Sequence, residues 1–225
     1  MHTARDLAII VLSASDREVG QGDLSLALAG AEVLDLVEAR VLRLDGDQLV
    51  PGAGPATGDR LLDEAAAALV RQAPYEPVEE WLWRRGRELS AAYTDELQRA
   101  GLVSHTRGSR ILGRAARTVV LDSPTAREAG ARRGAGEPVL TALAAAVGLR
   151  DGADEAVPQP VWETSQEADG PSGAAGDAAA GPGAGLSDDV TAVLAAVGDA
   201  VMELEAVRQR RSIENAAFDN IWRGL

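Results

Sequence analysis

The sequence predicts an all-α fold, a compact helical domain with one or two short β-hairpins. Of its 225 residues 46% are hydrophobic but only 3% aromatic. The apolar residues are mostly alanine, leucine and valine, and the first two are strong helix formers. In several segments these residues recur at helical spacing. Strand-like alternation flanks Asp45-Gly46, a strong hairpin signal. Helices with an aliphatic core are therefore expected, with few strands.

The first 50 residues predict two helices and a hairpin. Residues 4–14 form a short apolar helix, for which a strand is the alternative, and the polar residues 15–22 follow as a loop. A second helix covers residues 23–39, with Asp23 as its candidate cap. Residues 41–50, VLRLDGDQLV, alternate apolar and polar side chains and predict the hairpin.

Residues 55–70, PATGDRLLDEAAAALV, carry acidic groups at the start of the next helix. Thr57 or Asp59 is placed to cap this helix, and Asp63 and Glu64 fall in its first turn, near the positive end of the helix dipole. Clustered carboxylates also suit acid–base chemistry. Because capping explains each acidic residue, the pattern favours the structural interpretation.

Residues 76–100 predict one further helix that contains two tryptophans. Trp81 and Trp83 are two positions apart, so their side chains point to different faces of the helix. At least one of them is expected in the core. Trp83, beside Arg84, Arg85 and Arg87, is a candidate for contact with a membrane interface, where indoles are enriched. A partly buried tryptophan in a solvated helix is the alternative.

The C-terminal half predicts shorter elements. A second hairpin is expected within residues 101–113, GLVSHTRGSRILG, and residues 117–122 can add a strand. Residues 124–134 are a basic helix or turn. Residues 137–149 are apolar on nearly every face, which predicts a central, buried helix. From Ser187 onwards Val190, Leu194, Val197, Val201 and Leu204 form a stripe typical of a helix that packs on its own domain.

These elements divide the chain into three parts. Residues 1–149 form a helical domain, and residues 187–225 a C-terminal helix that packs on it. Between them, residues 150–186 are an acidic insertion rich in Ala, Gly and Pro, without periodicity, which predicts disorder.

Several classes of protein lack support in the sequence. There is no cysteine, and the two histidines, His2 and His105, are not spaced as metal ligands. No nucleotide-binding or hydrolase motif occurs. We therefore expect no metal, no cofactor and no enzymatic activity, with an enzyme whose site is unrecognised as an alternative. Without a secretory signal or an apolar run of ~20 residues, a cytoplasmic location is expected. All 22 basic residues are arginine, which indicates a G+C-rich, bacterial genome.

Charge is distributed unevenly along the chain. The net charge is −13, which argues against general affinity for nucleic acids. Residues 82–134, however, hold 11 arginines and five acidic residues, a local charge of +6. Such asymmetry suggests an anionic partner, and an acidic phospholipid surface is the expected one. The candidate binding residues are Arg84, Arg85, Arg107, Arg110, Arg132 and Arg133, together with Trp83.

Arg132 and Arg133 are the sharpest of these candidates. They lie in AGARRGAGEPV, residues 129–139, which is interpreted as a glycine-bracketed loop that leads into a helix start. Free backbone amides at such a start attract anions, and guanidinium groups add bidentate recognition. A solvent-exposed loop with no ligand is the alternative.

A winged-helix regulator is a third hypothesis. A helix followed by a hairpin occurs at residues 23–50 and again at 76–112, and the second unit is basic. Residues 82–100 would have to read DNA bases, yet they carry Glu88, Asp95 and Glu96. No nucleic-acid partner is therefore expected.

Several motifs resemble the Golgi phosphoprotein 3 family. They are DLVEARVLRL, PATGDRLLDEAAAALV, LQRAGLVSHTRGSRILG and VLTALAAAVGL. The similarity covers about residues 5–150 and, more weakly, the last helix. The similarity implies a mostly helical fold with a protruding hairpin. It also implies a peripheral membrane protein that binds phosphatidylinositol 4-phosphate. Family members in eukaryotes hold glycosyltransferases at the Golgi, so a protein partner is a further expectation.

The lipid pocket implied by this resemblance is not conserved residue by residue. The family places a tryptophan in the loop before the second helix, and SASDREVGQGD contains none. An arginine of that helix aligns with Ala29, and two more align near Ala135 and Pro138. Arg132 and Arg133, a few residues upstream, are the candidate replacements.

Overall fold

The computed structural model describes residues 2–14, 19–106, 117–149 and 186–223, the side chains of 105, 106, 117 and 216–223 excepted. These residues form eight helices and two antiparallel hairpins, which confirms the predicted fold class. The helices are α1 (Thr3–Ser13), α2 (Gln21–Glu38), α3 (Arg60–Ala67), α4 (Val78–Arg85), α5 (Leu89–Arg99), α6 (Pro124–Gly134), α7 (Pro138–Ala146) and α8 (Asp188–Arg223). The strands are β1 (Leu42–Asp45), β2 (Gln48–Pro51), β3 (Val103–Thr106) and β4 (Arg117–Val120).

Helix α2 is the centre of the core. Thirteen of its 18 residues are buried, and it contacts α1, α3, α4, α5, α7 and α8. The prediction that the apolar helix near residues 137–149 would be the central one is wrong. In α7 only Leu140, Leu143 and Ala144 are buried. Alanine exposes little apolar area, so an alanine-rich helix can lie at the edge of the core at small cost.

The predicted single helix at residues 76–100 is two helices. Helix α4 ends at Arg85, and Glu88, at φ 57°, takes the left-handed conformation before α5 begins. At Gly86 a β-carbon would lie 2.5 Å from the carbonyl oxygen of Leu82 and 3.4 Å from that of Ser25 in α2. A side chain at residue 86 would therefore collide with the last turn of α4, which favours glycine where the two helices separate.

Both hairpins are present, but the second pairs differently from the prediction. Strands β1 and β2 align Leu42 with Pro51 and Asp45 with Gln48, as expected. Strand β3 pairs with the segment at 117–120, so that Val103 lies opposite Val120. The predicted return strand near 110–113 falls within 107–116, outside the described residues. The disorder predicted for 150–186 likewise concerns residues that are almost all outside the described part.

Helix α8 packs across α2, α4 and α7. Val193, Val197 and Ala200 are buried. Of the five stripe residues predicted for this helix, Val197 is buried and the other four are half-buried. Gly30 of α2 makes the crossing close, because a β-carbon there would lie 2.3 Å from Cγ2 of Val197.

Replacing Gly30 by alanine is expected to destabilise the protein. Alanine favours a helix over glycine by about 1 kcal/mol. The clash with Val197, a stiff side chain with no exposed surface, is expected to cost about 1–3 kcal/mol and to prevail. Urea denaturation measures the difference. Gly198→Ala is the matched control, since its β-carbon would meet nothing within 4 Å, and this change should stabilise α8. Combining Gly30→Ala with Val197→Ala should relieve the clash. Equal stabilisation by Gly30→Ala and Gly198→Ala would contradict the close crossing of α2 and α8.

Candidate functional site

Arg85, a predicted lipid ligand, is an internal residue of the fold. Its Nε and Nη2 each lie 2.8 Å from a carboxylate oxygen of Glu32, which has no exposed surface. Nη2 also donates to the carbonyl of Leu61 at 3.0 Å. Tyr93 donates its hydroxyl to Glu32 at 3.2 Å. Burial raises the pKa of Glu32, and the bonds from Arg85 oppose that rise. The guanidinium therefore neutralises a buried carboxylate.

Arg84 is also paired within the fold. Its Nε and Nη2 each approach Glu76 to 2.6 Å, and Nη2 donates to the carbonyl of Ala68 at 3.1 Å. The guanidinium carbon lies 5.1 Å from the ring centroid of Trp81, within cation–π distance. Trp81 is fully buried and donates its indole N–H to the carbonyl of Ala29 at 3.3 Å. The Ala29 position, where the family resemblance placed an arginine, is thus part of the core.

Arg132 and Arg133 do not lie in a loop, as the sequence suggested, but in the last turn of α6. Arg132 pairs with Asp6 of α1 and with Glu137, the latter at 3.5 Å. Arg133 is half-buried. At the start of α7, Glu137 accepts hydrogen bonds from the amides of Val139 and Leu140. The helix start expected to attract an external anion therefore already has an internal carboxylate.

The remaining predicted binding residues are Arg107, Arg110 and Trp83. Arg107 and Arg110 lie outside the described residues. Trp83 is half-buried and packs against the core on the side of α4 that faces a groove. Of the predicted site residues, the structure therefore places Trp83 at a cavity that a ligand can enter.

This groove has a volume of about 500 Å³ and lies between α2, the junction of α4 with α5, and α8. Its lining residues are Gln21, Gly22, Ser25 and Leu26 of α2, Trp83 of α4, Gly86, Arg87 and Glu88 of the junction, Ser90 and Ala91 of α5, and Leu204 of α8. Its chemistry combines an indole, a guanidinium, two hydroxyls and one carboxylate. We refer to it below as the α2–α5 groove.

Arg87 lines this groove and, although it stands near Trp83 in the sequence, was not among the candidate binding residues. It is exposed, and within the described part of the chain no hydrogen bond or ion pair involves it. Its neighbours Arg84 and Arg85 carry the same charge, so local composition gives no signal that separates the three. The difference arises from tertiary structure, because Arg84 and Arg85 belong to the last turn of α4 and meet Glu76 and Glu32, whereas Arg87 lies in the break that follows.

A second cavity, of about 440 Å³, lies between the end of α1, β4 and the start of α6. It is lined by apolar side chains such as Leu12 and Val120, and its one described cation, Arg127, lies 3.2 Å from Asp122. It therefore offers less to an anionic ligand than the α2–α5 groove.

The acidic motif at residues 55–70 caps α3, as the sequence indicated. Asp59 accepts hydrogen bonds from the amides of Leu61 and Leu62, at 3.0 and 3.3 Å. Asp63 accepts from the amide and the hydroxyl of Thr57, at 2.7 and 2.8 Å, and these bonds lower its pKa. Each of these carboxylates thus has a structural partner.

The described residues support neither a metal site nor a membrane-spanning helix. Nowhere in them do three or more metal-ligating side chains gather. None of the helices that they form combines the length and apolar character of a membrane span.

Comparison with known protein families agrees with the resemblance that the sequence motifs suggested. The family model of Golgi phosphoprotein 3 (GPP34) matches residues 4–217, nearly the whole chain. No curated protein matches it. The family is of a non-enzymatic, adaptor type. With a match this extensive, the chain belongs to the Golgi phosphoprotein 3 family.

Proposed function

We propose that this protein attaches peripherally to membranes by binding an anionic phospholipid headgroup in the α2–α5 groove. The observation that carries the proposal is the pairing of a cation with an indole there. Arg87 is exposed and has no carboxylate partner among the residues that the structure describes, and Trp83 lines the same groove. A guanidinium at an anionic leaflet contributes on the order of 1 kcal/mol, and indoles favour the headgroup level.

Hydroxyl groups at the base of the groove complement this pair. The hydroxyl oxygen of Ser25 accepts a hydrogen bond from the amide of Ser90 at 3.0 Å, which leaves its own proton available to a ligand. Ser90 also lines the groove. These groups can donate to phosphate oxygens without adding charge. The ligand implied by the family resemblance is phosphatidylinositol 4-phosphate.

The proposal differs from the basic face that the sequence suggested. Arg84, Arg85 and Arg132 each use guanidinium nitrogens on buried or half-buried carboxylates. An external headgroup would have to break those pairs, which is costly for the buried carboxylate left behind. Binding through a groove with one unpaired cation requires no such loss.

Vesicle flotation tests the proposal. We expect the protein to float with phosphatidylcholine vesicles that contain phosphatidylinositol 4-phosphate, and Arg87→Ala to weaken binding about fivefold, as loss of one cation near the membrane implies. Arg71→Ala is the matched control, because Arg71 is also exposed but does not line the groove. Equal losses in both variants, or no binding by the unmodified protein, would contradict the proposed site.

A further inference from the structure

We propose that Arg208 of α8 is the second cation of the α2–α5 groove and binds the phosphate of the lipid headgroup opposite Arg87. This inference rests on the proposed function and adds a residue from a different part of the chain. It makes the C-terminal helix part of the binding site as well as part of the core.

Arg208 is not itself a lining residue of the groove, but it lies one helical turn beyond Leu204, which is, and beside Gly22, which also lines it. Its Nη1 is 2.8 Å from each carboxylate oxygen of Asp23, in the first turn of α2, and 3.5 Å from Glu205. These contacts fix the side chain across the start of α2. They use one of its three nitrogens.

The other two nitrogens have unused donors. Within the described residues no hydrogen bond involves Nε or Nη2 of Arg208. Nη2 lies 3.0 Å from the position that a β-carbon on Gly22 would take, and 3.1 Å from that on Gly20. Gly22 itself lines the groove. The absence of side chains at these two glycines therefore lets the free edge of the guanidinium reach the groove.

This arrangement differs from that of Arg84 and Arg85, whose carboxylate partners are buried. Arg84 and Arg85 present Nε and Nη2 together to a carboxylate, the bidentate geometry that a phosphate would also need. In Arg208 that edge is free, because Asp23 binds at Nη1 alone. A phosphate can thus bind Arg208 while Asp23 continues to hold it in place.

The ligand that fits is a phosphomonoester on a membrane lipid. It carries up to two negative charges and several acceptor oxygens, enough for guanidinium groups on two walls of the groove. Phosphatidylserine divides its negative charge between a phosphodiester and a carboxylate and carries an ammonium group, so it is expected to bind more weakly. Asp23 is a positioning residue, since it orients Arg208 and does not itself favour an anion.

Two variants that break the same ion pair provide the test. Arg208→Gln removes the cation, and Asp23→Asn removes the neighbouring negative charge but keeps an amide oxygen that can accept from Nη1 and hold the guanidinium in place. Both should lower the thermal stability of the protein by a similar, small amount. Binding to vesicles with phosphatidylinositol 4-phosphate should fall about tenfold in Arg208→Gln, as expected for loss of a charge-assisted contact. In Asp23→Asn it should be retained or increase.

Vesicles with phosphatidylserine at equal surface charge separate headgroup recognition from general attraction. The tenfold loss in Arg208→Gln should be confined to the phosphomonoester vesicles. Unchanged vesicle binding in Arg208→Gln, or equal losses of binding in both variants, would overturn the role of Arg208. The ion pair of Arg208 with Asp23 would then only stabilise the packing of α8 on α2. If Arg87→Ala weakens binding in the same assay, the proposed function survives that result; if the unmodified protein binds neither vesicle, both proposals fail.

Discussion

Replacing Arg85 by methionine is expected to lower the free energy of unfolding by about 3–5 kcal/mol at neutral pH. The change leaves the carboxylate of Glu32, which has no exposed surface, without the cation that now meets both its oxygens at 2.8 Å. The hydroxyl of Tyr93 remains as one donor, which is insufficient for a buried charge. Urea denaturation at pH 7 measures the loss.

The double variant Glu32→Gln with Arg85→Met tests whether the unpaired charge of Glu32 causes this loss of stability. With no buried charge left, most of the lost stability should return, because replacing both partners of a buried pair is often nearly neutral. The single variant should also be less destabilised at pH 5 than at pH 7. Burial already raises the pKa of Glu32, and without Arg85 the carboxyl should take up a proton more readily in the folded state. Equal losses in the single and double variants would instead assign the effect to the packing of the arginine stem.

The parts of the fold that follow local rules were predictable from the sequence. The cap of α3 needs only Asp59 and the next three residues, and the first hairpin needs only a two-residue turn with Gly46 at φ 64°. Both are decided within a few positions of the chain. The break between α4 and α5 was not predictable in this way, because its left-handed residue is Glu88, a residue type with no local preference for that conformation.

In the candidate site, contacts between distant residues matter even more. The clustered arginines predict one basic surface, yet the partners of Arg85 and Arg132, namely Glu32 and Asp6, lie 53 and 126 residues away in the sequence. Charge patterning along the chain cannot show which cations the fold neutralises. An indole beside arginines makes Trp83 a candidate from the sequence, and the structure places it in the lining of the α2–α5 groove. Arg87 acquires its role through its position after the helix break.

A second large effect is expected at Asp35, through pH. Helix α1 begins at Thr3, and the residue before it, His2, provides no side-chain cap. The cap comes instead from α2, where Asp35 accepts hydrogen bonds from the amides of Thr3 and Ala4 at 2.9 and 3.0 Å. Asp35 is only 4% exposed, and burial raises its pKa from 3.8 to about 6 in spite of these bonds.

The direction of the pH effect follows from that pKa. A folded-state pKa above the unfolded one means that the folded protein binds the proton more tightly. The contribution of Asp35 to stability is therefore fully present below about pH 3.8 and is lost as the pH rises through about 6. The difference between the two pKa values corresponds to about 3 kcal/mol. Asp35→Asn does not titrate, so the stability of the unmodified protein relative to this variant should fall by about that amount across this range.

Denaturation of both proteins at several pH values between 3.5 and 7 measures this difference, and a second carboxyl provides a control of opposite sign. Bonds from Thr57 lower the pKa of Asp63, so its contribution is present above the unfolded pKa and is lost as the pH falls. The protein should therefore lose stability relative to Asp35→Asn as the pH rises, but gain it relative to Asp63→Asn. A gain relative to both variants would mean that the two amide bonds outweigh burial at Asp35, and that α1 is held by a charged cap.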